Sequence, residues 1–429
     1  MRWSLVFFAS LSVTAFADSP PPPGPAAPAV TAAAVAPAGE ARRSGVLLGN
    51  FDQGVRPQDD LYRFVNGTWR AKTEIPADKS NYGAATRLQD EVEKNLKAIL
   101  QEAAAAGAKP GSDTQLIGDF YASFMDDARA EQLGLAPLGP EFARIAAIED
   151  RGMLLDYLAH AGRVGIATPL RAGIRPDAKR PDVYTVYTGQ AGLAMPDRDY
   201  YLKDDARFVE FRAQYLAYVT DVLTMAGHKD AAAAARRVMD FETRLAQASW
   251  PRVDLRDPNK TYNPFDLAGA TKASSGLDWN RYLEGLGIKG QQQLIVGQPS
   301  FAAELGKALD DVPLQTWQDY LQVRVIDSFA PYLHAALVKR NFEFYGRTLS
   351  GTPELEPRWK RGLDETQRAV GDLLGEQYVA RHFPPEAKAR MDELVANLRK
   401  AFAASIDELD WMGPETRREA HAKLAAFTV

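Results

Sequence analysis

Metal or acid–base chemistry would have to start from the five histidines, His160, His228, His334, His382 and His421. A hydrolytic zinc site of the H-E-x-x-H kind sets two imidazoles one helical turn apart, with a glutamate between them as general base. No two of these histidines lie within four residues of each other and none is followed by Glu, so the motif is absent. Each therefore reads as structural. His160 and His334 fall in helical stretches, His382 sits beside Phe383-Pro384, and His421 is on the last helix. His228 follows Gly227 at a helix end, where a cation meets the C-terminal dipole favourably. The other chemistries fare no better. There is no cysteine for a thiol nucleophile and no G-x-S-x-G elbow. Gly306-Lys307 lacks the upstream glycine of a phosphate loop, position 301 being Phe301. The acid pairs Asp126-Asp127, Asp204-Asp205 and Asp310-Asp311 are neighbours in sequence, so in a helix they point about 100° apart and suit caps or solvated surface.

The elements that carry these residues are mostly amphipathic helices. Leu88, Val92, Leu96 and Ile99 form one apolar face, and Leu116, Ile117, Phe120, Tyr121 and Phe124 form another behind a cap at Asp113. Phe208, Phe211, Tyr215, Val219 and Val222 repeat the pattern. The longest stripe, Leu394, Val395, Leu398, Phe402, Ile406 and Leu409, is entered through Pro384-Pro385. All of these stripes read as core. Alternation over Leu170–Ile174 and the β-branched run Val183–Val186 predict a small antiparallel pair within a helical body.

The N-terminus has a different character. Met1–Ala17 carries one basic residue, an apolar run and Ala15-Phe16-Ala17, the layout of a secretory leader cleaved after Ala17. Its apolar run is shorter than the ~20 residues that span a bilayer, and no other stretch approaches that length, so no stable membrane insertion is expected. Residues 18–45 are almost all Pro and Ala and predict an extended tether, leaving 46–429 as the folded domain. With no disulfides in an exported chain, stability must come from a packed core. The net charge of -5 is spread along the chain without a basic stripe, which argues against a nucleic-acid partner.

One stretch is more specific than any of these patterns. In Val55–Gly83, VRPQDDLYRFVNGTWRAKTEIPADKSNYG, an acidic cap at Asp59-Asp60 leads into a short helix, and Gly67 beside Trp69 suits a chain reversal under a large ring. Ile75-Pro76 then forces an extended step, and Ser80, Asn81, Tyr82 and Gly83 make a polar turn before a new helix. Further blocks follow in order: MPDRDYYL at Met195–Leu202, RDPNKTYN at Arg256–Asn263, LSGTPELEPRWKR at Leu349–Arg361 and LDWMGPETRREAHAKLAAF at Leu409–Phe427. Together they resemble the neprilysin and endothelin-converting-enzyme family of zinc metallopeptidases, from about Gly49 to the last residue.

The resemblance implies a mainly α fold: the large helical N-terminal lobe of a two-lobed metallopeptidase, with a minor antiparallel β element. Such a lobe closes over the catalytic lobe and restricts substrates to short peptides. The lobes are connected more than once, so the earliest helices are candidates to pack with the catalytic lobe. The resemblance also places zinc, its H-E-x-x-H helix, the downstream glutamate ligand, an Asn-Ala clamp and a transition-state histidine in a later region. None of these is found before Val429. The chain by itself is therefore expected to bind no catalytic zinc and to hydrolyse nothing, and the missing lobe is expected to dock on it. Its cysteine-free, leader-bearing form suggests a bacterial periplasmic or secreted protein. In some vertebrate members an arginine before the Tyr-Gly turn holds the substrate's C-terminal carboxylate. Asn81 occupies that position here and can hydrogen-bond a carboxylate but brings no charge. Arg198, Arg358, Lys360 and Arg361 are expected to lock the lobe's geometry through ion pairs. The alternative reading is a free-standing peptide-binding module without catalysis.

Overall fold

The computed structural model describes residues 46–429. The expected leader and Pro/Ala tether lie outside the described residues. Eleven helices have twelve or more residues: α1 (Leu61–Lys72), α2 (Ala84–Ala105), α3 (Asp113–Met125), α4 (Arg151–Arg163), α5 (Ala206–Met225), α6 (Ala231–Ala248), α7 (Pro299–Asp311), α8 (Leu314–Phe329), α9 (Arg358–His382), α10 (Pro385–Glu408) and α11 (Pro414–Ala426). The chain divides into two compact units, one ending at Thr73 and one running from Glu74 to Val429.

In the first unit, Asp60 caps α1 by accepting from Arg63 N at 2.9 Å. The segment before it folds back along the helix. Thr68 Oγ1 donates to Phe51 O at 2.7 Å, Asp52 N donates to Phe64 O at 2.8 Å, and the Phe51 and Phe64 rings meet edge to face. Gly67 corrects the sequence reading. It lies inside α1, not in a reversal, and a Cβ there would sit 2.5 Å from Asp52 Cβ, so glycine is needed to admit the returning chain.

The second unit holds two cores. The larger packs α4–α8 with shorter helices around Trp279, Trp317, Tyr215, Tyr218, Tyr320, Phe301 and Phe344, all fully buried. The smaller joins α2, α3 and α9 through Leu96, Ile99, Leu100, Ile117, Tyr121, Leu363 and Leu374. Gly118 sets the α2–α3 spacing, since a Cβ there would come 2.4 Å from Ala103 O. Leu88 and Leu116, expected in these faces, are exposed at the ends of their stripes.

The sheet is larger than the sequence suggests. β1 (Leu170–Pro176) and β2 (Tyr184–Gln190) form the expected antiparallel pair, with Ile174 opposite Val186. Two further strands, β3 (Pro264–Asp266) and β4 (Gln293–Val296), complete a mixed sheet in the order β1-β2-β4-β3. β4 runs parallel to β2 and antiparallel to β3. Leu294, Ile295 and Val296 are buried, as a central parallel strand requires. Strands of three and four residues carry too few positions for periodicity to identify them.

A buried polar network pins α5, α6 and α8 together with the π-helical stretch Glu343–Leu349. Glu242 accepts from the Tyr201 hydroxyl at 2.6 Å and the Tyr215 hydroxyl at 2.9 Å, and Arg324 lies 3.6 Å away. Arg324 also reaches Asp327 at 2.5 Å, and Asp327 accepts from both Tyr218 and Tyr345. Burial pushes the Glu242 carboxyl above its ordinary range, opposed by Arg324 and the two hydroxyls.

The last two helices overturn the core assignment of the longest stripe. Met391, Leu394, Leu398 and Phe402 run along one face of α10 at 50%, 50%, 60% and 63% exposure, and Ile406 is the buried residue of that helix. α11 packs against α10, and no residue of α11 is buried. The connection between them is fastened by polar contacts. Arg417 donates to the carbonyls of Ile406, Leu409 and Met412, and Arg399 donates to that of Leu424.

Candidate functional site

The turn that precedes α2 is fixed by the residues around Asn81. Pro76 starts it, Lys79 N closes it onto Pro76 O at 2.9 Å, and Gly83 leads into α2. Lys79 is buried, with its ammonium 2.5 Å from Asp90, and Asp90 also accepts from Tyr82 at 2.9 Å. Hydrogen bonds from Lys79 and Tyr82 hold the Asp90 carboxyl below its ordinary range against the opposing effect of desolvation. The same turn is tied to α9. Lys360 meets Asp78 at 2.6 Å, Glu354 N donates to Ala77 O at 2.9 Å, and Lys97 sits over the Trp359 ring. The Leu349–Arg361 block thus anchors the turn that carries Asn81.

Around this anchor lies a cluster of carboxyls. Partial burial, then the neighbouring charges of Glu356, Glu93 and Glu365, push Asp364 up to about 6. Burial raises Glu356 as well, opposed chiefly by Lys360. Asn81 is exposed above the anchor, and its amide donates to Ser80 Oγ at 3.4 Å. This group can hold a polar ligand near an exposed amide. It contains no nucleophile–base pair and no paired imidazoles.

The other basic residues divide. Arg358 donates to Phe124 O at 2.8 Å and pairs with Asp127 at 2.6 Å, tying α9 to the end of α3. Arg361 donates to Glu356 O at 3.2 Å, and burial and Arg358 lower its affinity for a proton. Arg358 and Lys360 are the geometric locks expected of them. Arg198 is not. Its flanking aspartates are both engaged elsewhere, Asp197 with Arg252 at 2.9 Å and Asp199 with Lys203 at 2.9 Å. Nε of Arg198 is buried without a hydrogen-bond partner.

Three histidines pair with single carboxylates. His160 meets Glu141 at 3.1 Å, His228 meets buried Asp319 at 3.1 Å, and His421 meets Asp407 at 2.7 Å. Asp319 also takes Arg237 and Gln315, so His228 belongs to a satisfied core network and not simply to a helix dipole. His382 packs on Tyr378, and His334 sits in the turn before the helix Ala335–Phe342, outside the helix expected to contain it. Among the described residues, no three His, Asp or Glu side chains are grouped to hold a metal ion. The residues present do not fit a catalytic zinc, which needs three protein ligands and an open position.

The model of peptidase family M13, for its N-terminal region, matches residues 57–429. The chain belongs to peptidase family M13. This M13 chain is 25% identical to human endothelin-converting enzyme-like 1 over 409 residues, covering 91% of the chain and 52% of that protein. It is also 25% identical to neprilysin-2 of Drosophila melanogaster over 414 residues, covering 89% and 52%. Among solved structures, the zinc metalloprotease Zmp1 of Mycobacterium tuberculosis in complex with an inhibitor superimposes with a TM-score of 0.84 at 38% identity, over 90% of this chain and 59% of that one. PepO of Lactobacillus rhamnosis shares the fold, with a TM-score of 0.75 at 23% identity. The M13 chain spans about half the length of the curated relatives it matches. Among the described residues, no helix is long and apolar enough to cross a membrane.

Sequence reasoning missed the carboxyl cluster and the unpaired Arg198. Glu93 is remote in sequence from Glu356 and Asp364, and only the α2–α9 packing brings it to them. For Arg198 the adjacent aspartates were a misleading signal, since residues that are neighbours in a turn can point to different partners.

Proposed function

We propose that this chain is the helical, substrate-enclosing part of an exported zinc metalloendopeptidase that hydrolyses short peptides, and that it is inactive by itself. The observation that carries the reading is the apolar stripe of α10, left exposed in a chain that spans about half of its relatives. An uncovered face of that length is a docking surface, and the partner of matching chemistry is the remaining half of an M13 chain. That half would bring the zinc ligands and the glutamate base, while this chain would narrow access to the cavity. Asn81, exposed on its anchored turn, would hydrogen-bond the substrate without the charge needed for strong carboxydipeptidase preference. The leader at Met1–Ala17 would direct the protein to the periplasm or outside the cell. The exposed stripe favours this reading over a free-standing peptide-binding module, which would have no reason to keep such a face uncovered. The test is hydrolysis of a quenched fluorescent heptapeptide with zinc. The chain alone should show no turnover, and adding the second half of an M13 chain should produce zinc-dependent cleavage; turnover by the chain alone refutes the reading.

A further inference from the structure

Arg198 opens onto a pocket of about 410 Å³ formed where the Met195–Leu202 block meets the end of α6 and the start of α7. Gln247, Trp250, Asp254, Lys260 and Ser300 share its walls. The pocket is preformed. Trp250 is held by its backbone, with Gln190 accepting from its N–H at 2.7 Å and donating to its carbonyl at 3.2 Å. Its indole donates to Ser300 Oγ at 2.7 Å.

The charges do not balance. Lys260 is neutralised by Asp254 at 2.5 Å, and Arg252 outside the wall is taken by Asp197. The Arg198 side chain has neither ion pair nor hydrogen bond among the described residues, and its Nε is cut off from solvent. A guanidinium with a desolvated, unsatisfied N–H is costly unless an acceptor reaches it. Its planar fork matches a carboxylate in a bidentate pair.

We propose that this pocket binds a carboxylate through Arg198, with the apolar part of the ligand against Trp250. One negative charge matches the single uncompensated positive one, and Asp254 disfavours a more highly charged anion. The carboxylate belongs either to a free peptide or to an acidic side chain of a docked second half of the protein.

The probe is N-acetyl-phenylalanine, titrated calorimetrically into the 429-residue chain, with N-acetyl-phenylalaninamide as the uncharged control. A fragment making one charged contact is expected to bind with a Kd of about 1 mM. Arg198→Gln should weaken the acid by about tenfold or more and Arg198→Lys by less, while the amide binds none of them. The thermal unfolding transition of each variant shows whether it remains folded, and the acid–amide difference on the unmodified chain tests the site even if a variant does not. With the second half of an M13 chain added, loss of probe binding assigns the carboxylate to that half, and undisturbed binding assigns it to a free peptide. Equal binding of acid and amide, an unchanged affinity in folded Arg198→Gln, or no binding by the unmodified chain overturns the proposal.

Discussion

The α5 helix and the α10 helix carry apolar stripes of the same kind and have opposite fates. Phe211, Tyr215, Val219 and Val222 are buried against α6 and α8, whereas Leu394, Leu398 and Phe402 face outward. Periodicity establishes that a helix has an apolar face. It says nothing about whether the covering element lies in the same stretch of chain. In the body the cover is present and is reinforced by the Glu242–Arg324–Asp327 network. In the C-terminal hairpin the polar contacts of Arg417 and Arg399 fasten the two helices to each other, and the outer face is left over.

The largest expected effect is in the body. Arg324→Met strands Glu242 and Asp327 without their cation, and should cost about 3–5 kcal/mol in a urea unfolding titration. A cost below about 1 kcal/mol would mean that the network is not what holds the body together. Gly67→Ala probes the same principle of close approach in the N-terminal unit. The added Cβ collides with Asp52, and a loss of roughly 1–3 kcal/mol, confined to residues 46–73 by hydrogen exchange, is expected.

The fold class, the Asp60 cap and the β1–β2 pair were legible in the sequence because each depends on neighbours within a few residues. The network was not. Arg324 and Asp327 sit three residues apart on α8, but Glu242 and Tyr345 reach them from other parts of the chain. β4 was hidden for the same reason, since its partner strand β2 lies about a hundred residues upstream. At the candidate site, the polar segment before α2 was legible, and Asn81 is exposed on it just after the 76–79 turn, but the Lys79–Asp90 pair to α2 and the Lys360–Asp78 pair to α9 that fix that turn depend on packing between remote parts of the chain. The stripe of α10 was legible as a stripe and misread as core, because exposure is a property of the fold and not of the pattern.

Smaller effects sharpen the contrast. Asp364 is raised to about 6, so its contribution to stability is full below the unfolded value near 3.8 and is lost as pH rises through about 6. Asp364→Asn should therefore be relatively more stable than the parent at pH 8 than at pH 4. Because the side chain still reaches solvent and its carboxyl is only partly desolvated, the difference should stay under about 1 kcal/mol, and a difference of opposite sign would contradict the assignment. Leu398→Ser with Phe402→Ser should change the stability of the chain alone by no more than about 0.5 kcal/mol per site while reducing binding of an apolar dye. A large stability loss from that pair would place the stripe in a core after all.

The most direct measurement is hydrogen–deuterium exchange over residues 385–429, with and without the second half of an M13 chain. If the stripe is a docking surface, amides of α10 should become protected on addition, and the Leu398→Ser, Phe402→Ser chain should lose that protection. A complex that forms with exchange in α10 unchanged would contradict the account.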